Sequence, residues 1–518
     1  MTSNRSAHRW REPYDLRDVV RRTLPLAALM ALAAVLRFQG LAEQSFWSDE
    51  AVTALLVDRG AHEMLTGVLN TESSPPLYYL LAWLWTALVG SDEFGLRSLS
   101  ALLGVLTVPV AYATGRSLSS RRAGLAAGAL VATSPLLVWY SQEGRAYALL
   151  VILCGLSFWA FVAAYQTPQR SAVLAAWWLT SSLAVLTHYF AAFVILVEAF
   201  LLLRRHRVKR VLVAVAGVGA TMVAVLPLAL YQRGGGQAEY IAESSLLRRV
   251  VTLGKQDLVG LDAPYDRAAT LLVVVAVIAC MALFMRGHDR AARNRALLAT
   301  SVGVVAILLP IALALVGFDY VNTQNMLGAS IAVLVAFAVT IAGGAPRLAS
   351  HALLVGICAI WVALVLGVAR DDRFHRANWR GALERAVKPS PESGRLLVVG
   401  PDYEGWFARA PVLVYLPDAR SVDPATRTVA RFRALVRAQD RLPESDHQGE
   451  LVVVLLGVRL DPSDTARLLH PRHRLVETVR GSGFDLLRFR LSPRAPVWTN
   501  GRTPTSVSGV PVATVVVP

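Results

Sequence analysis

Eleven apolar stretches, most of them close to 20 residues long, fill most of the first 370 positions of this chain. They lie at 23–41, 96–115, 123–140, 146–165, 171–186, 188–203, 211–231, 268–285, 296–317, 327–344 and 348–369. A helix of about 20 apolar residues crosses a hydrocarbon core of roughly 30 Å, and only helices and closed barrels satisfy their own backbone polar groups in lipid. The expected fold is therefore an all-α polytopic bundle of about 11 spans over residues 23–370. Composition agrees, with 55% of the 518 residues hydrophobic and 17% charged. The three cysteines, Cys154, Cys280 and Cys358, sit inside apolar runs without metal-ligand or disulfide spacing, and read as small buried hydrophobes.

The formal net charge of +16 would suggest a nucleic-acid partner in a soluble chain. Here the basic residues concentrate in short loops between apolar runs, such as "GRSLSSRRAG" (115–124), "RRHRVKR" (204–210) and "RGHDRAARNR" (286–295). That placement is a topology signal, and no nucleic acid is expected. It also decides the status of "PPLYYLLAWLWTALVG" (75–90). If this segment does not cross, every strongly basic short loop falls on one side, with a cytoplasmic N-terminus (1–22). If it crosses, "RRHRVKR" faces outward. The segment is therefore expected as a juxtamembrane helix, with Ser74 as N-cap and Pro75 as first helical residue. The outer segments are then 42–95, 141–145, the turn at Thr187 to Tyr189, 232–267, 318–326 and everything after Arg370. "DEAVTALLV" (49–57) is a second helix in the large first outer loop.

After Arg370 the pattern changes. "RLLVVG" (395–400), "PVLVYLP" (411–417) and "LVVVLLGV" (451–458) read as short buried strands, "TRTVARFRALVRAQ" (426–439) as a helix, and 473–491 as two strands around a glycine turn. Residues 371–491 are expected to form a small extracytoplasmic α/β domain, and the Pro-, Thr- and Val-rich tail, 492–518, to be disordered.

Three outer clusters carry chemistry-bearing side chains. Asp49 and Glu50 follow Trp47 in "QSFWSDEA" (44–51). Neighbouring helical residues point about 100° apart, so the two carboxylates cannot share one task equally. One is free to act while the other hydrogen-bonds or coordinates; an ordinary acidic helix start is equally compatible. In "WYSQEGRAYALL" (139–150), Glu143, Arg145 and Tyr147 stand between two spans, and an arginine there suits a phosphate or, alternatively, pairs with Glu143. His188 and Tyr189 occupy the break in "THYF", where a lone histidine is more often structural. Acids, an arginine, a histidine and aromatics at one membrane face suit a substrate with an apolar tail, a phosphate and a sugar.

The order "FWSDEA", "SSPPLYYLLAWLW", "GSDEFGLRSLSALLGVLTVPV", "SPLLVWYSQEGRAYALL", "THYF" and, at 377–382, "ANWRGA" resembles the C-type membrane glycosyltransferases. The likeness is to the family-39-like bacterial enzymes akin to protein O-mannosyltransferases and the lipid A aminoarabinose transferase, and covers most of residues 23–380. It implies a helical bundle whose large first outer loop bears the catalytic acid, here Asp49 with Glu50 beside it, and a polyprenyl-phosphate sugar as donor. Ser74 stands where many relatives have His, and Gln324 and Asn325 where relatives often have Arg. That departure puts donor-phosphate recognition on Arg145 and Arg380. Trp47, Tyr78, Tyr79, Glu143, Tyr147, His188 and Tyr189 are then candidates for the acceptor and sugar, and Asp49 and Glu143 for a divalent metal. The expected reaction is inverting transfer to an acceptor hydroxyl on a glycan, lipid or protein. A lipid-linked sugar flippase or a non-catalytic scaffold are the alternatives; a flippase would show ionisable residues at mid-membrane and internal repeats, whereas here only Glu198 lies well inside a span.

Overall fold

A computed structural model describes residues 16–234, 241, 244–286, 290–344, 346–387, 394–399, 406–416, 450–456, 474–481, 484–490, 506–507 and 510–517. The eleven apolar stretches are all helical. They correspond to α1 (Leu16–Phe38), α5 (Glu93–Leu118), the pair α6 (Arg121–Thr133) and α7 (Pro135–Ser141), α8 (Tyr147–Gln166), α9 (Ser171–Thr187) and α10 (Ala191–Arg205). They continue with α11 (Lys209–Arg233), α13 (Asp266–Arg286), α14 (Arg290–Ala314), α15–α16 (Thr323–Met326 and Ser330–Gly343, joined by a 3-10 turn) and α17 (Arg347–Arg370). Among the described residues seven helices are long and apolar enough to cross a membrane, or eight if the bent α6–α7 pair is one span. The protein is a multi-pass membrane protein. α9 and α10, with 17 and 15 residues, are shorter than a full crossing.

The α6–α7 bend of 58° has a clear cause. Pro135 has no N–H, so the carbonyl of Val131 loses its helical donor. Arg37 of α1, fully buried, replaces it, donating to the carbonyls of Val131 and Ala132 at 2.9 Å each and to Ser141 Oγ at 3.2 Å. Gly104 of α5 makes room, since a Cβ there would stand 2.2 Å from Ser141 Oγ and 2.7 Å from Arg37 Nε. α5 packs on α1, α6 and α8, α8 on α9 and α10, and α16 on α6 and α14. Inside this bundle Glu198 of α10 accepts from Ser157 at 2.6 Å and from Trp177 Nε1 at 2.8 Å, which ties α8, α9 and α10 together.

Between α1 and α5 three helices form at one end of the bundle: α2 (Ser48–Val57), α3 (Ala61–Thr71) and α4 (Leu77–Val89). α2 and α4 were expected; α3 was not. α4 begins two residues later than expected, with Pro76 as N-cap, while Ser74 Oγ pairs with the Tyr79 hydroxyl at 3.3 Å. α12 (Leu246–Val259) lies between α11 and α13.

Beyond α17 come α18 (Trp379–Val387), α19 (Trp406–Tyr415) and a six-stranded sheet. Its strands are β1 (Gly394–Val399), β2 (Glu450–Leu456), β3 (Arg474–Gly481), β4 (Phe484–Arg490), β5 (Ser506–Val507) and β6 (Val510–Val517), in the order β3-β4-β2-β1-β6-β5. Only β1 and β2 run parallel. Two expectations are corrected. Of the stretch 411–417, residues 411–415 fall in α19 rather than in a strand, and part of the supposedly disordered tail pairs as β5 and β6. The helix expected at 426–439 lies outside the described residues.

Candidate active site

The site is assembled on the first turn of α2. Trp47 is its N-cap in extended conformation, so Asp49 and Glu50 fall in the first turn and diverge. Glu50 points inward and is fully buried. Arg97, at the start of α5, donates from Nε to Oε1 at 2.8 Å and from its terminal nitrogen to Oε2 at 2.6 Å, and the Gly144 N–H adds a third bond to Oε1 at 2.8 Å. The remaining Arg97 donors meet the carbonyls of Leu41, Gln44 and Ser45 at 2.7–3.0 Å. Burial alone would raise the Glu50 pKa, but the charge and hydrogen bonds of Arg97 outweigh it and hold the carboxyl below the ordinary range. Glu50, expected beside Asp49 in catalysis, is thus consumed by a bidentate ion pair that joins α2, α5 and the α7–α8 connection.

Asp49 is different. It is half-buried, and no donor among the described residues engages its carboxylate. Desolvation by burial pushes its pKa up to about 7; Arg145 pulls it down, and Glu72, Glu143 and Glu50 push it up. A carboxylate that titrates near neutrality is suited to proton transfer.

Arg145 is held against Asp49 without being free. It donates to both oxygens of Glu72 at 3.0 and 2.9 Å, to Thr53 Oγ1 at 3.0 Å and to the Asp49 carbonyl at 3.3 Å, and its guanidinium lies 5.9 Å from the Tyr79 ring centre. Glu143 accepts on Oε1 from Trp139 Nε1 at 3.0 Å and from Arg376 at 2.7 Å, while its buried Oε2 has no hydrogen-bond partner among the described residues. The Arg376 guanidinium also lies 4.3 Å from the Trp139 ring centre. Burial raises the Glu143 pKa.

His188 is buried, its Nδ1 accepts from the Phe190 N–H at 3.4 Å, and burial and the Arg145 charge lower its pKa to about 4. It is therefore neutral, with its ring 6.2 Å from Tyr147, whose own ring stacks edge-on to Tyr140. The Tyr189 hydroxyl donates to Gln232 Oε1 at 2.8 Å, and Gln232 donates on to the carbonyls of Val68 and Ser74. Tyr78 and Tyr79 are fully buried and packed edge to face at 5.5 Å, so they line the interior of the loop rather than offer an open stacking face. Trp47 is half-buried. Arg380 stands to one side, donating to the Ala42 carbonyl at 2.9 Å and lying 3.3 Å from Glu93, with its side chain 34% exposed. Among the described residues no three His, Cys, Asp or Glu side chains are placed to hold a metal. Asp49 and Glu143 are two carboxylates, short of that number, and no step below is routed through a metal. A cavity of about 50 Å³ opens between the ends of α7, α12 and α17, bounded by Trp139 and Arg376; Asp49 does not line it.

The structure thus gathers Asp49, Glu50, Glu143, Arg145, Tyr147 and His188 at one end of the bundle. Sequence reasoning missed Arg97, Glu72 and Arg376, the counter-ions that decide which carboxylate is free. A buried Glu50 demands a cation, and "GLRS" at the start of the next helix supplies one, which was the available signal.

Residues 73–231 match the family described as dolichyl-phosphate-mannose-protein mannosyltransferase. ArnT from Cupriavidus metallidurans bound to undecaprenyl phosphate superposes with a TM-score of 0.55 at 13% identity, over 90% of this chain and 98% of that one. Its apo state gives 0.56 at 12%, with the same coverage. The chain has the C-type glycosyltransferase fold. No curated protein matches it by sequence.

Proposed function

We propose that this C-type fold carries a glycosyltransferase that moves a sugar from a polyprenyl-phosphate donor to an acceptor hydroxyl at the outer face of the membrane. The observation that carries this reading is Asp49: a half-buried carboxylate at one end of the bundle, with no hydrogen-bond donor among the described residues and a pKa pushed up to about 7 by burial. The ArnT structure, with its undecaprenyl phosphate, and the dolichyl-phosphate-mannose family support the donor class. In the proposed step the acceptor oxygen attacks the anomeric carbon from the face opposite the phosphate. The C–O bond to phosphate breaks, polyprenyl phosphate leaves with the electron pair, and the acceptor proton passes to Asp49, with inversion. Glu143 and neutral His188 orient the acceptor or the sugar. Of the two arginines expected on the phosphate, each already pairs with a carboxylate, Arg145 with Glu72 and Arg380 with Glu93, and Arg380 is the more exposed.

The test uses protein in nanodiscs with a panel of polyprenyl-phosphate sugars and reads release of free polyprenyl phosphate. Release with one donor, dependent on added envelope extract, is expected. No release with any donor overturns the reading and favours a flippase or scaffold.

Because Asp49 must be deprotonated to act, the transfer rate should rise with pH through about 7 and level off above it. The same raised pKa has a linked effect on folding. The folded state holds this proton more tightly than the unfolded chain, so the stability contributed at Asp49 is greatest below the ordinary carboxylate pKa and declines as pH rises to about 7. Glu72→Gln removes a charge that raises the Asp49 pKa and leaves Arg145 to lower it. The activity limb should then move to lower pH, which a rate–pH profile of the variant checks.

A further inference from the structure

The segment that leads into Asp49 is tied, residue by residue, to the region after α17. Arg380 donates to the Ala42 carbonyl at 2.9 Å, and the Arg376 N–H donates to Gln44 Oε1 at 3.1 Å. Ser45 Oγ donates to the Ala377 carbonyl at 3.1 Å and accepts from the Trp379 N–H at 2.9 Å. The last rung comes from α19. The Phe46 N–H donates to the Tyr415 hydroxyl oxygen at 2.6 Å, and that hydroxyl donates its proton to Glu93 Oε1 at 2.6 Å. Glu93 opens α5, four residues before Arg97, and α19 packs along α2.

These contacts give the first turn of α2 two anchors, both of which reach α5. Glu50 is fixed from the α5 side by Arg97. Phe46, three residues before Asp49, is fixed by Tyr415 of α19, which is itself held by Glu93 of α5. Phe46 precedes the helix and its N–H has no helical acceptor, so this backbone donor must find one elsewhere. Tyr415 supplies it, and Glu93 orients the tyrosine proton away so that the oxygen lone pair faces Phe46.

We infer that Tyr415 is a positioning residue: by bridging Phe46 and Glu93 it holds the turn that aims Asp49, so the region after α17 acts as a clamp on the catalytic loop. This inference rests on the proposed role of Asp49. The hydroxyl is the working part. Tyr415→Phe keeps the ring and loses both hydrogen bonds, whereas Tyr415→Ala loses the ring as well.

The test pairs hydrogen–deuterium exchange with kinetics on the full-length protein in nanodiscs. For Tyr415→Phe, amides in residues 44–50 should exchange at least about ten-fold faster while the transmembrane helices keep wild-type protection. The kcat for sugar transfer should fall about ten-fold with donor KM near the wild-type value, because a small misplacement of a catalytic group costs rate rather than ground-state binding. Tyr415→Ala should add loss of thermal stability to the same kcat defect. Wild-type exchange at 44–50 in Tyr415→Phe overturns the clamp whatever the activity. Faster exchange with unchanged kcat overturns the positioning role. A fall in kcat matched by an equal loss of folded protein assigns Tyr415 to structure alone. If the wild-type protein transfers no sugar, the functional reading fails, and the exchange result still decides whether the clamp exists.

Discussion

Asp49→Asn is expected to lower kcat for sugar transfer by about 10²- to 10⁴-fold, the usual contribution of a general base, with donor KM near the wild-type value. The amide keeps the shape of the carboxylate but loses its negative charge and its capacity to take a proton. Because no donor among the described residues engages the Asp49 carboxylate, the substitution leaves no orphaned partner there, and melting temperature should stay close to wild type. Asp49→Glu should recover part of the rate. Release of polyprenyl phosphate is the readout, measured at pH 8, where the wild-type carboxylate is ionised. Undiminished release in Asp49→Asn would remove this residue from the chemistry and, with it, the assignment of the base to α2.

The second large effect concerns folding. Arg97→Ala leaves Glu50 as an unpaired buried carboxylate and strips donors from the carbonyls of Leu41, Gln44 and Ser45. Breaking a buried ion pair from one side typically costs about 3–5 kcal/mol. The expected outcome is a sharp loss of folded protein in detergent, read by thermal unfolding and size-exclusion profile. The double variant Glu50→Gln, Arg97→Met removes both charges and should be less destabilised than Arg97→Ala alone. Equal destabilisation of the two would mean that the carbonyl contacts of Arg97, rather than its charge pairing, hold the loop.

The bundle was legible because lipid imposes one dominant rule, and the hydropathy pattern reports it directly. Strands β1 and β2 were legible for a related reason, as short runs of Val and Leu, and β3 and β4 as two strands around a glycine turn. The run 411–417 misled because a short apolar stretch does not distinguish strand from buried helix. Its helix begins earlier, at Trp406, and carries Pro411 inside it. At the site, the residue types were readable but their partners were not. Glu50 meets Arg97 across 47 positions, and Arg145 meets Glu72 across 73, separations at which no local spacing leaves a trace. Asp49 and Glu50 were therefore separated in sequence only by the family resemblance, and are plainly distinct in space.

That distinction rests on helical phase. One residue of helix advances the side-chain direction by about 100°. A single insertion between Trp47 and Asp49 would shift α2 by that angle relative to its N-cap. The side chain now locked to Arg97 would turn away, and its neighbour would rotate toward the cation. The chain length between Trp47 and Glu50 is thus a functional quantity in its own right. Substitutions within this segment adjust the site by degrees, whereas a one-residue insertion carries Asp49 to the cation and a one-residue deletion carries Glu50 to the place of Asp49.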